Sequence, residues 1–334
     1  MNKTSIEWTH RPETGGAQGG FTWNPIRARL KVCPSCGHRH DLTARCCWQL
    51  AEGGFQRCLC DLKQTGTFCT RISPGCKLCY ASAINIRFGN GLEYVVTNLS
   101  NIEFFIDEKI LEEPLKRKKP ATIFVGDMFD LFHEAIPDAE ISYVFATMYD
   151  AKQHTFQLLT KRPDRMMRFI LHWGVAEENI WLGTSIESPD YKERADFLRN
   201  TPAELHYLSI EPLLSDIGRL DLSGIEWVIC GGESGPGARP FNLAWAESLQ
   251  EQCKAAGVPF FMKQIGSKPL IPKAMELSAR GEFLTETTCG DPARLIVTSK
   301  GGDMSEWPES LRVREFPAER SVSERGAHHR ADAQ

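Results

Sequence analysis

The sequence of 334 residues contains no long apolar segment. Its first residues, MNKTSIEWTH, include no apolar core of the length that a secretion signal has. No uncharged run approaches the ~20 residues that a membrane-spanning helix needs. We therefore expect a cytoplasmic protein that does not enter a membrane.

The sequence also has little net charge. Its formal net charge is −4 at pH 7, and 42% of the residues are hydrophobic and 25% are charged. Such a composition is ordinary for a globular protein, and we expect one main domain with additions. The average gives no electrostatic sign of a nucleic-acid-binding protein, but it does not exclude a local basic patch such as Lys116–Lys119.

Cysteine is scarce over the last two thirds of the chain. Only Cys230, Cys253 and Cys289 lie there, whereas nine of the twelve cysteines lie between Cys33 and Cys79. Without a secretion signal, clustered cysteines are more typical of metal ligands than of a disulfide framework, because the cytosol keeps thiols reduced. We therefore expect metal chemistry in the N-terminal part of the chain.

From about residue 120 onward, short apolar runs alternate with segments of helical periodicity. The runs are short and mostly apolar throughout, which is typical of strands buried on both faces of a parallel sheet. They are Thr122–Val125, Thr155–Leu159, Ile180–Thr184, His206–Ile210, Trp227–Cys230 and Pro259–Met262. The helical segments are Ala139–Ala151, the stretch around Tyr191–Asn200, and Leu243–Ala256. This pattern predicts an α/β fold, either a complete or partial barrel or an open doubly wound sheet.

Polar residues follow each of these runs directly. In parallel α/β folds the functional groups collect where the strands end, so we expect these residues to line one edge of the sheet and one site. The residues concerned are Gly126 and Asp127, Thr160 to Arg162, Ser185 and Glu187, Glu211, Gly232 and Glu233, and Lys263 and Gln264.

The segment FCTRISPGCKLCYA places Cys69, Cys76 and Cys79 at C-x6-C-x2-C spacing. The turn residues between the first two cysteines allow all three thiols to approach one metal group. Three cysteines with no fourth ligand nearby leave one iron of a [4Fe–4S] cluster open to an external ligand. A structural zinc site completed by a remote Cys or His is the alternative.

A second group of cysteines begins with CPSCGHRH at residue 33. Its C-x2-C-G-H spacing and a later cysteine pair are typical of a zinc ribbon, with Cys33, Cys36, Cys58 and Cys60 as the expected ligands. Cys46, His38 or His40 are alternative ligands. We expect residues 29–64 to be an inserted Cys-rich module that binds zinc and stiffens a region with little core; contact with a nucleic acid or a partner is the alternative role.

Several longer strings resemble the phage Gp37/Gp68 family, the DUF5131 type, which is grouped with radical S-adenosylmethionine (SAM) proteins. The strings cover most of residues 20–266. They are TWNP (22–25), CTRISPGCKLCYA (69–81), DLFHEAIPD (130–138), HTFQLLTKRPDRM (154–166), WLGTSIE (181–187), SIEPLL (209–214), VICGGESGPGARP (228–240) and GVPFFMKQ (257–264).

The resemblance implies a complete or partial (β/α) TIM-like barrel of radical SAM type that carries a [4Fe–4S] cluster and binds SAM. One electron from the cluster would cleave SAM to a 5′-deoxyadenosyl radical, which abstracts hydrogen from a substrate. A reductant such as flavodoxin or ferredoxin would supply the electron. Relatives by fold include a lyase that repairs thymine photodimers, so a nucleic acid or nucleotide is an expected substrate class.

The resemblance also implies roles for particular residues. Cys69, Cys76 and Cys79 would hold the cluster, although most radical SAM enzymes space these cysteines C-x3-C-x2-C and the gap here is longer. The SAM-binding candidates are Leu78, Gly126, Asp127, Ser185, Glu187 and Glu211. The candidates for catalysis are Asp127, His133 and Glu211.

Other interpretations of these residues stay open. His133 suits a structural role as well as proton transfer, and Lys161 and Arg162 suit salt bridges as well as an anion site. The whole protein suits a metal-binding module for nucleic acid or protein that performs no reaction. A metal-dependent hydrolase is the weakest alternative, because histidines are sparse at the strand ends.

The predicted organisation has four parts. Residues 1–28 and 65–266 form the barrel, and 29–64 form the inserted module. Residues 267–304 form a C-terminal extension, and 305–334, which are poor in large apolar residues, are expected to be a disordered tail, especially after Phe316.

Overall fold

The computed structural model describes residues 1–4, 6–10, 20–31, 65–271 and 300–317, and the backbone alone of 48–51, 54–57 and 293–294. The strands in these ranges are β1 (Asn2–Lys3), β2 (Phe21–Trp23), β3 (Ile26–Leu30), β4 (Trp48–Ala51), β5 (Gly54–Arg57), β6 (Thr65–Gly66), β7 (Ile102–Ile106), β8 (Thr122–Val125), β9 (Thr155–Thr160), β10 (Ile180–Ser185), β11 (His206–Ile210), β12 (Trp227–Gly231), β13 (Phe241–Asn242), β14 (Phe260–Gln264), β15 (Pro269–Ile271) and β16 (Ala293–Arg294).

Helices follow most strands of the second half of the chain. The α-helices are α1 (Tyr80–Phe88), α2 (Glu108–Leu111), α3 (Glu113–Lys116), α4 (Asp138–Asp150), α5 (Pro163–Trp173), α6 (Glu193–Arg199) and α7 (Leu243–Ala256). Short 3₁₀ turns lie at Glu7–Thr9, Pro74–Cys76, Val96–Asn101, Pro189–Tyr191, Met304–Glu306 and Glu309–Leu311.

One large sheet organises the molecule. Its strand order is β1-β2-β8-β9-β10-β11-β12-β14, and every neighbouring pair except β1–β2 is parallel. Smaller sheets join β6-β3-β7 and β13-β15-β16, and β4 pairs with β5. The prediction of a mixed α/β fold with a mostly parallel sheet is confirmed, because all six predicted apolar runs are strands of this sheet.

Apolar packing on both faces explains why the strands read as continuous apolar runs. Ile123, Leu158 and Leu208 belong to a large core that includes side chains of α4, α5, α6 and α7. Their neighbours along the strands, such as Phe124 and Tyr207, belong to a separate aromatic cluster. Successive side chains of a strand point to opposite faces, so each strand needs apolar residues at nearly every position.

Trp8 shows that the sheet is strongly curved. Its ring lies 4.7 Å from that of Phe124 on β8 and 6.3 Å from that of Trp227 on β12. These strands are four positions apart, about 19 Å in a flat sheet. One indole contacts both strands, so the sheet bends around it.

The segment after residue 303 is packed against the sheet. Trp307 and Leu311 are buried in the large core, and the ring of Phe316 lies 5.6 Å from that of Trp227. Met262 on β14 donates a backbone hydrogen bond to Val313 at 2.9 Å, which covers the edge of the sheet. Ordered packing therefore extends beyond the predicted boundary at residue 305, because a few large apolar residues suffice to hold a short segment. The rest of the predicted tail, 318–334, lies outside the described residues.

The predicted Cys-rich module lies almost entirely outside the described residues as well. Only its first residues and the backbone of β4 and β5 belong to the described ranges. Cys33, Cys36, Cys58 and Cys60 are not among them, so their zinc-binding role stays a prediction.

We predict that Trp307→Ala lowers the free energy of unfolding by about 3–5 kcal/mol, the usual cost of truncating a buried Trp. Trp307 is 2% exposed, and its indole N–H donates to the carbonyl of Gly301 at 2.9 Å. Urea unfolding followed by circular dichroism measures the change. Leu171→Ala, on the exposed side of α5, is the control and should stay within about 0.5 kcal/mol of wild type. Equal losses in the two variants would contradict the packing described.

Candidate functional site

A cavity of about 360 Å³ lies at the carboxyl ends of the parallel strands. Residues that follow β8, β9, β11 and β12 line it, together with the last residues of β10 and β14, the cysteine segment and Trp8. Its polar lining residues include Asp127, Asp130, Lys161, Arg162, Ser185, Ser209, Glu211, Glu233 and Lys263. Parallel strands bring their ends to one edge, which is why residues far apart in sequence share this cavity.

The three cysteines of the C-x6-C-x2-C segment line the same cavity. Cys76 ends the turn Pro74–Cys76, in which its backbone N–H donates to Ser73 at 3.0 Å, and Cys79 is the residue before α1. All three thiols are free and partly buried. The segment therefore presents three sulfur atoms to one space.

Burial and mutual repulsion disfavour three thiolates without a bound cation. Burial raises the pKa of the Cys69 thiol to about 12, although the Arg162 charge opposes this, and Cys76 and Cys79 raise it further. Burial also raises the pKa of Cys79, against hydrogen bonds from the backbone of Ser82 and Ala81. Within the described ranges, no three His, Cys, Asp or Glu side chains form a compact group of the kind that holds one metal ion.

Arg162 connects the cysteine segment to the sheet. It follows β9 and is 3% exposed. Its guanidinium donates to Asp130 at 3.0 Å and to Glu134 at 2.8 Å. The same group donates to Thr70 Oγ1 at 2.9 Å and lies 3.8 Å from Cys69 Sγ. The salt bridge that the sequence left open as an alternative is thus present, with the added contacts to the cysteine segment.

Asp130 is held ionised by this arrangement. Burial alone favours its neutral form, but Arg162 and hydrogen bonds from Thr160 and Lys161 outweigh it, so the pKa lies below the ordinary value. His133 lies beside the pair, behind the cavity wall. Its Nδ1 accepts from the N–H of Ala135 at 3.1 Å, and its Nε2 is 3.0 Å from Thr70 Oγ1. These contacts define a neutral ring that donates through Nε2.

Three further ion pairs stand at the strand ends. Lys263 pairs with Glu211 at 2.6 Å, Lys161 pairs with Glu187 at 3.0 Å, and Arg239 pairs with Glu233. Arg239 also donates to the carbonyl of Pro74 at 3.0 Å. This hydrogen bond connects the glycine-rich loop, residues 231–240, to the cysteine segment. Most charges of the cavity wall are therefore already balanced.

Asp127 differs from the other carboxylates of the wall. It accepts a hydrogen bond from Asn24 at 2.6 Å, and no cationic side chain of the described residues pairs with it. Burial raises its pKa, and the hydrogen bond from Asn24 offsets part of this rise. Asp127 thus offers a negative charge that a cationic ligand would neutralise.

Comparison with known families bears on the identity of the chain. A family model described as a protein of unknown function (DUF5131) matches residues 63–291, more than half of the chain. The chain belongs to the DUF5131 family. No curated protein and no solved structure matches the chain of this DUF5131 protein.

The structure brings most of the predicted site residues of the DUF5131 protein to one place. Those on the cavity wall are Cys69, Cys76, Cys79, Leu78, Gly126, Asp127, Ser185 and Glu211. Glu187 and His133 do not line it. Glu187 is fully buried and accepts from Ser73 at 2.5 Å, from Lys161 and from Arg194, so it supports the cysteine segment from behind.

Three residues that line or support the cavity were not among the predicted site residues. Trp8 lies far from the motifs, and the roles of Asn24 and Tyr80 depend on contacts with the Asp127 region. Asn24 directly follows β2, so its position as a polar residue at a strand end was the available sign of its role. No helix in the described part of the DUF5131 protein combines the length and apolarity of a membrane span.

We predict that the free energy of unfolding falls as the pH is lowered from about 6.5 to 4. Burial, aided by the Arg162 charge, lowers the pKa of His133 to about 4. The unfolded chain, with an ordinary His pKa of about 6.5, takes up the proton first, so stability present above pH 6.5 is lost through this window. Burial lowers the pKa of His154 too, which acts in the same direction.

Urea unfolding at a series of pH values measures this dependence. His133→Gln should make the loss between pH 6.5 and 4 less steep, because one of the groups that binds the extra proton is gone. His172→Gln, at an exposed position on α5, should keep the slope of wild type. Identical slopes in wild type and His133→Gln would show that His133 is not buried as a neutral ring.

Proposed function

We propose that this protein is a radical SAM-type enzyme that holds a [4Fe–4S] cluster on Cys69, Cys76 and Cys79. The observation that carries the proposal is the shared cavity, which brings the three thiols together with the polar ends of the parallel strands. A sheet that curves around Trp8, with its functional residues at the strand ends, supports a complete or partial barrel of the radical SAM type.

The donor set suits a cluster better than a single ion. Three cysteine thiols are soft ligands of the kind that iron–sulfur clusters take. All three cysteines line one cavity, so one cluster could take a thiolate from each. With no fourth cysteine directly beside them in the sequence, one iron of a [4Fe–4S] cluster would stay open to an external ligand.

The cavity wall suits SAM on its polar side. When bound and reduced by a donor such as flavodoxin or ferredoxin, the cluster would pass one electron to SAM, which would split into methionine and a 5′-deoxyadenosyl radical that takes a hydrogen atom from a substrate. Asp127 would accept the ammonium group of SAM, since none of the cationic side chains in the described part of the chain pairs with it. Leu78 supplies an apolar surface next to the glycine-rich loop. Its Cδ2 atom lies 3.1 Å from the position that a Cβ atom at Gly237 would occupy.

The paired residues keep the wall in place. Glu211 is fixed by Lys263, and Ser185 and Ser209 offer hydroxyl groups on neighbouring strands β10 and β11. Glu187 holds Ser73 and Lys161, and so steadies the turn that carries Cys76. Trp8, Phe124 and Leu159 form the apolar side of the cavity.

We predict that the anaerobically reconstituted protein, reduced in the presence of SAM, releases 5′-deoxyadenosine, and that Cys76→Ala abolishes both the product and most of the bound iron. Chromatography of the reaction and iron analysis of the protein measure the two quantities. Cys253→Ala removes a buried thiol of α7 that lies outside the cavity and should retain both. Wild-type protein that holds zinc but no iron and yields no 5′-deoxyadenosine would replace this proposal with a metal-binding module that performs no reaction.

We predict that Asp127→Asn weakens SAM binding by about 10-fold or more, since a hydrogen bond to a charged group contributes about 1.5–3 kcal/mol. Equilibrium binding to the reconstituted protein measures the change. Asp164→Asn removes an exposed carboxylate on α5 and should leave the affinity unchanged. Equal affinities of wild type and Asp127→Asn would remove Asp127 from the SAM site.

A further inference from the structure

We propose that Arg162 is a positioning residue of the metal centre, which holds Cys69 in place and provides the positive charge beside its sulfur. The inference rests on the proposed function for the identity of the bound cluster. It concerns a residue that follows β9 and lies far from the cysteine segment in sequence.

All five N–H donors of the guanidinium are used. Nε donates to Glu134 and Nη1 to Asp130, and Nη1 is also 3.8 Å from Cys69 Sγ. Nη2 donates to Thr70 twice, to Oγ1 at 2.9 Å and to the carbonyl at 3.3 Å. A planar fork with five donors is the feature that distinguishes arginine from lysine, so the arrangement is specific for arginine.

Cys69 needs such an anchor more than the other two cysteines. Cys76 and Cys79 are joined by a tight turn that leads directly into α1. Cys69 is separated from Cys76 by six residues, so local structure does not fix it. The hydroxyl group of its neighbour Thr70 forms hydrogen bonds with both Arg162 and His133. The position of the first ligand therefore depends on contacts with the end of β9 and the loop before α4.

The charge of Arg162 has a second consequence. Hydrogen bonds to the sulfur atoms and the charge around a cluster are among the factors that set its reduction potential. A cation 3.8 Å from Cys69 Sγ favours the reduced, more negative cluster. Asp130 offsets part of that charge, since it pairs with the same guanidinium at 3.0 Å. Removing Arg162 and removing the charge of Asp130 should thus shift the reduction potential of the cluster in opposite directions.

The experiment compares wild type with Arg162→Gln, Arg162→Lys and Asp130→Asn. Arg165→Gln is the matched control, because Arg165 lies three residues after Arg162, on the first turn of α5, and binds Asp138 but does not contact the cysteine segment. Circular dichroism and thermal unfolding identify any variant that fails to fold. If the Arg162 variants fail to fold, Asp130→Asn still tests the effect of charge, because asparagine keeps the shape of the aspartate side chain.

The first measurement uses Co²⁺ alone on the apoprotein. The chain has other cysteines, so the signal is the part of the thiolate-to-Co²⁺ absorbance that disappears in Cys69→Ala. We expect Arg162→Gln to weaken this binding by about 10–100-fold, the usual effect of losing a group that orients a ligand. Arg162→Lys should be intermediate, and Arg165→Gln should match wild type.

The second measurement is the midpoint potential of the reconstituted cluster, followed by electron paramagnetic resonance. We expect a more negative potential in Arg162→Gln, a less negative one in Asp130→Asn, and no change in Arg165→Gln. Equal Co²⁺ affinity in wild type and Arg162→Gln would overturn the positioning role. Shifts of potential in the same direction in Arg162→Gln and Asp130→Asn would overturn the role of the charge.

The outcomes separate this inference from the proposed function. Wild type that takes up no cluster but shows Arg162-dependent Co²⁺ binding would reject the radical SAM proposal and keep the positioning role. Wild type that shows no Co²⁺ signal dependent on Cys69 would reject the positioning role, and the 5′-deoxyadenosine assay decides the proposed function separately.

Discussion

The buried ion pair between Arg162 and Asp130 joins the parallel sheet to the cysteine segment, and the candidate site depends on it. Removing one partner of a buried pair costs about 3–5 kcal/mol, because the other charge is left without compensation. Here the pair also holds Thr70, so the same contacts that satisfy the buried charges fix the backbone next to Cys69. Stability and the geometry of the site are therefore coupled in one set of side chains.

The remaining ion pairs at the strand ends give the cavity its electrostatic character. Lys161, Lys263 and Arg239 are each engaged by a carboxylate, whereas Asp127 has a hydrogen bond but no cation in the described part of the chain. A phosphate group would have to displace one of these carboxylates to find a partner. If the substrate is a nucleotide or nucleic acid, its phosphates are thus better placed outside the cavity, with the base or sugar inside.

The sequence predicted the sheet well because its strands are buried on both faces. Leu243–Ala256 was predicted to the residue, and Thr122–Val125 and His206–Ile210 match observed strands. The rule that polar groups collect at strand ends located the cavity wall. It failed for Glu187, because a residue two positions past a strand can turn back into the protein, where Arg194 and Ser73 bind it.

The tertiary contacts of Trp8 and Arg162 could not be predicted from the residues next to them in the sequence. Trp8 fills the concave side of the sheet, and nothing in its neighbouring residues indicates contacts with β8, β11 and β12. Arg162 was recognised as polar and near a strand end, but its partners come from two distant segments, the loop before α4 and the cysteine segment. Contacts of this kind depend on the tertiary arrangement, which single-sequence periodicity does not encode.

The long spacer between Cys69 and Cys76 departs from the usual C-x3-C-x2-C pattern, and the structure shows why this need not weaken the site. Doubling the length of a flexible loop raises the free-energy cost of closing it by only about 0.6 kcal/mol. The spacer is held at Thr70 by Arg162, at Ser73 by Glu187 and at Pro74 by Arg239. Each hydrogen bond to a charged group contributes about 1.5–3 kcal/mol. The anchors outweigh the added entropy several-fold, so a longer spacer in this protein replaces local turn geometry with contacts to three strand ends.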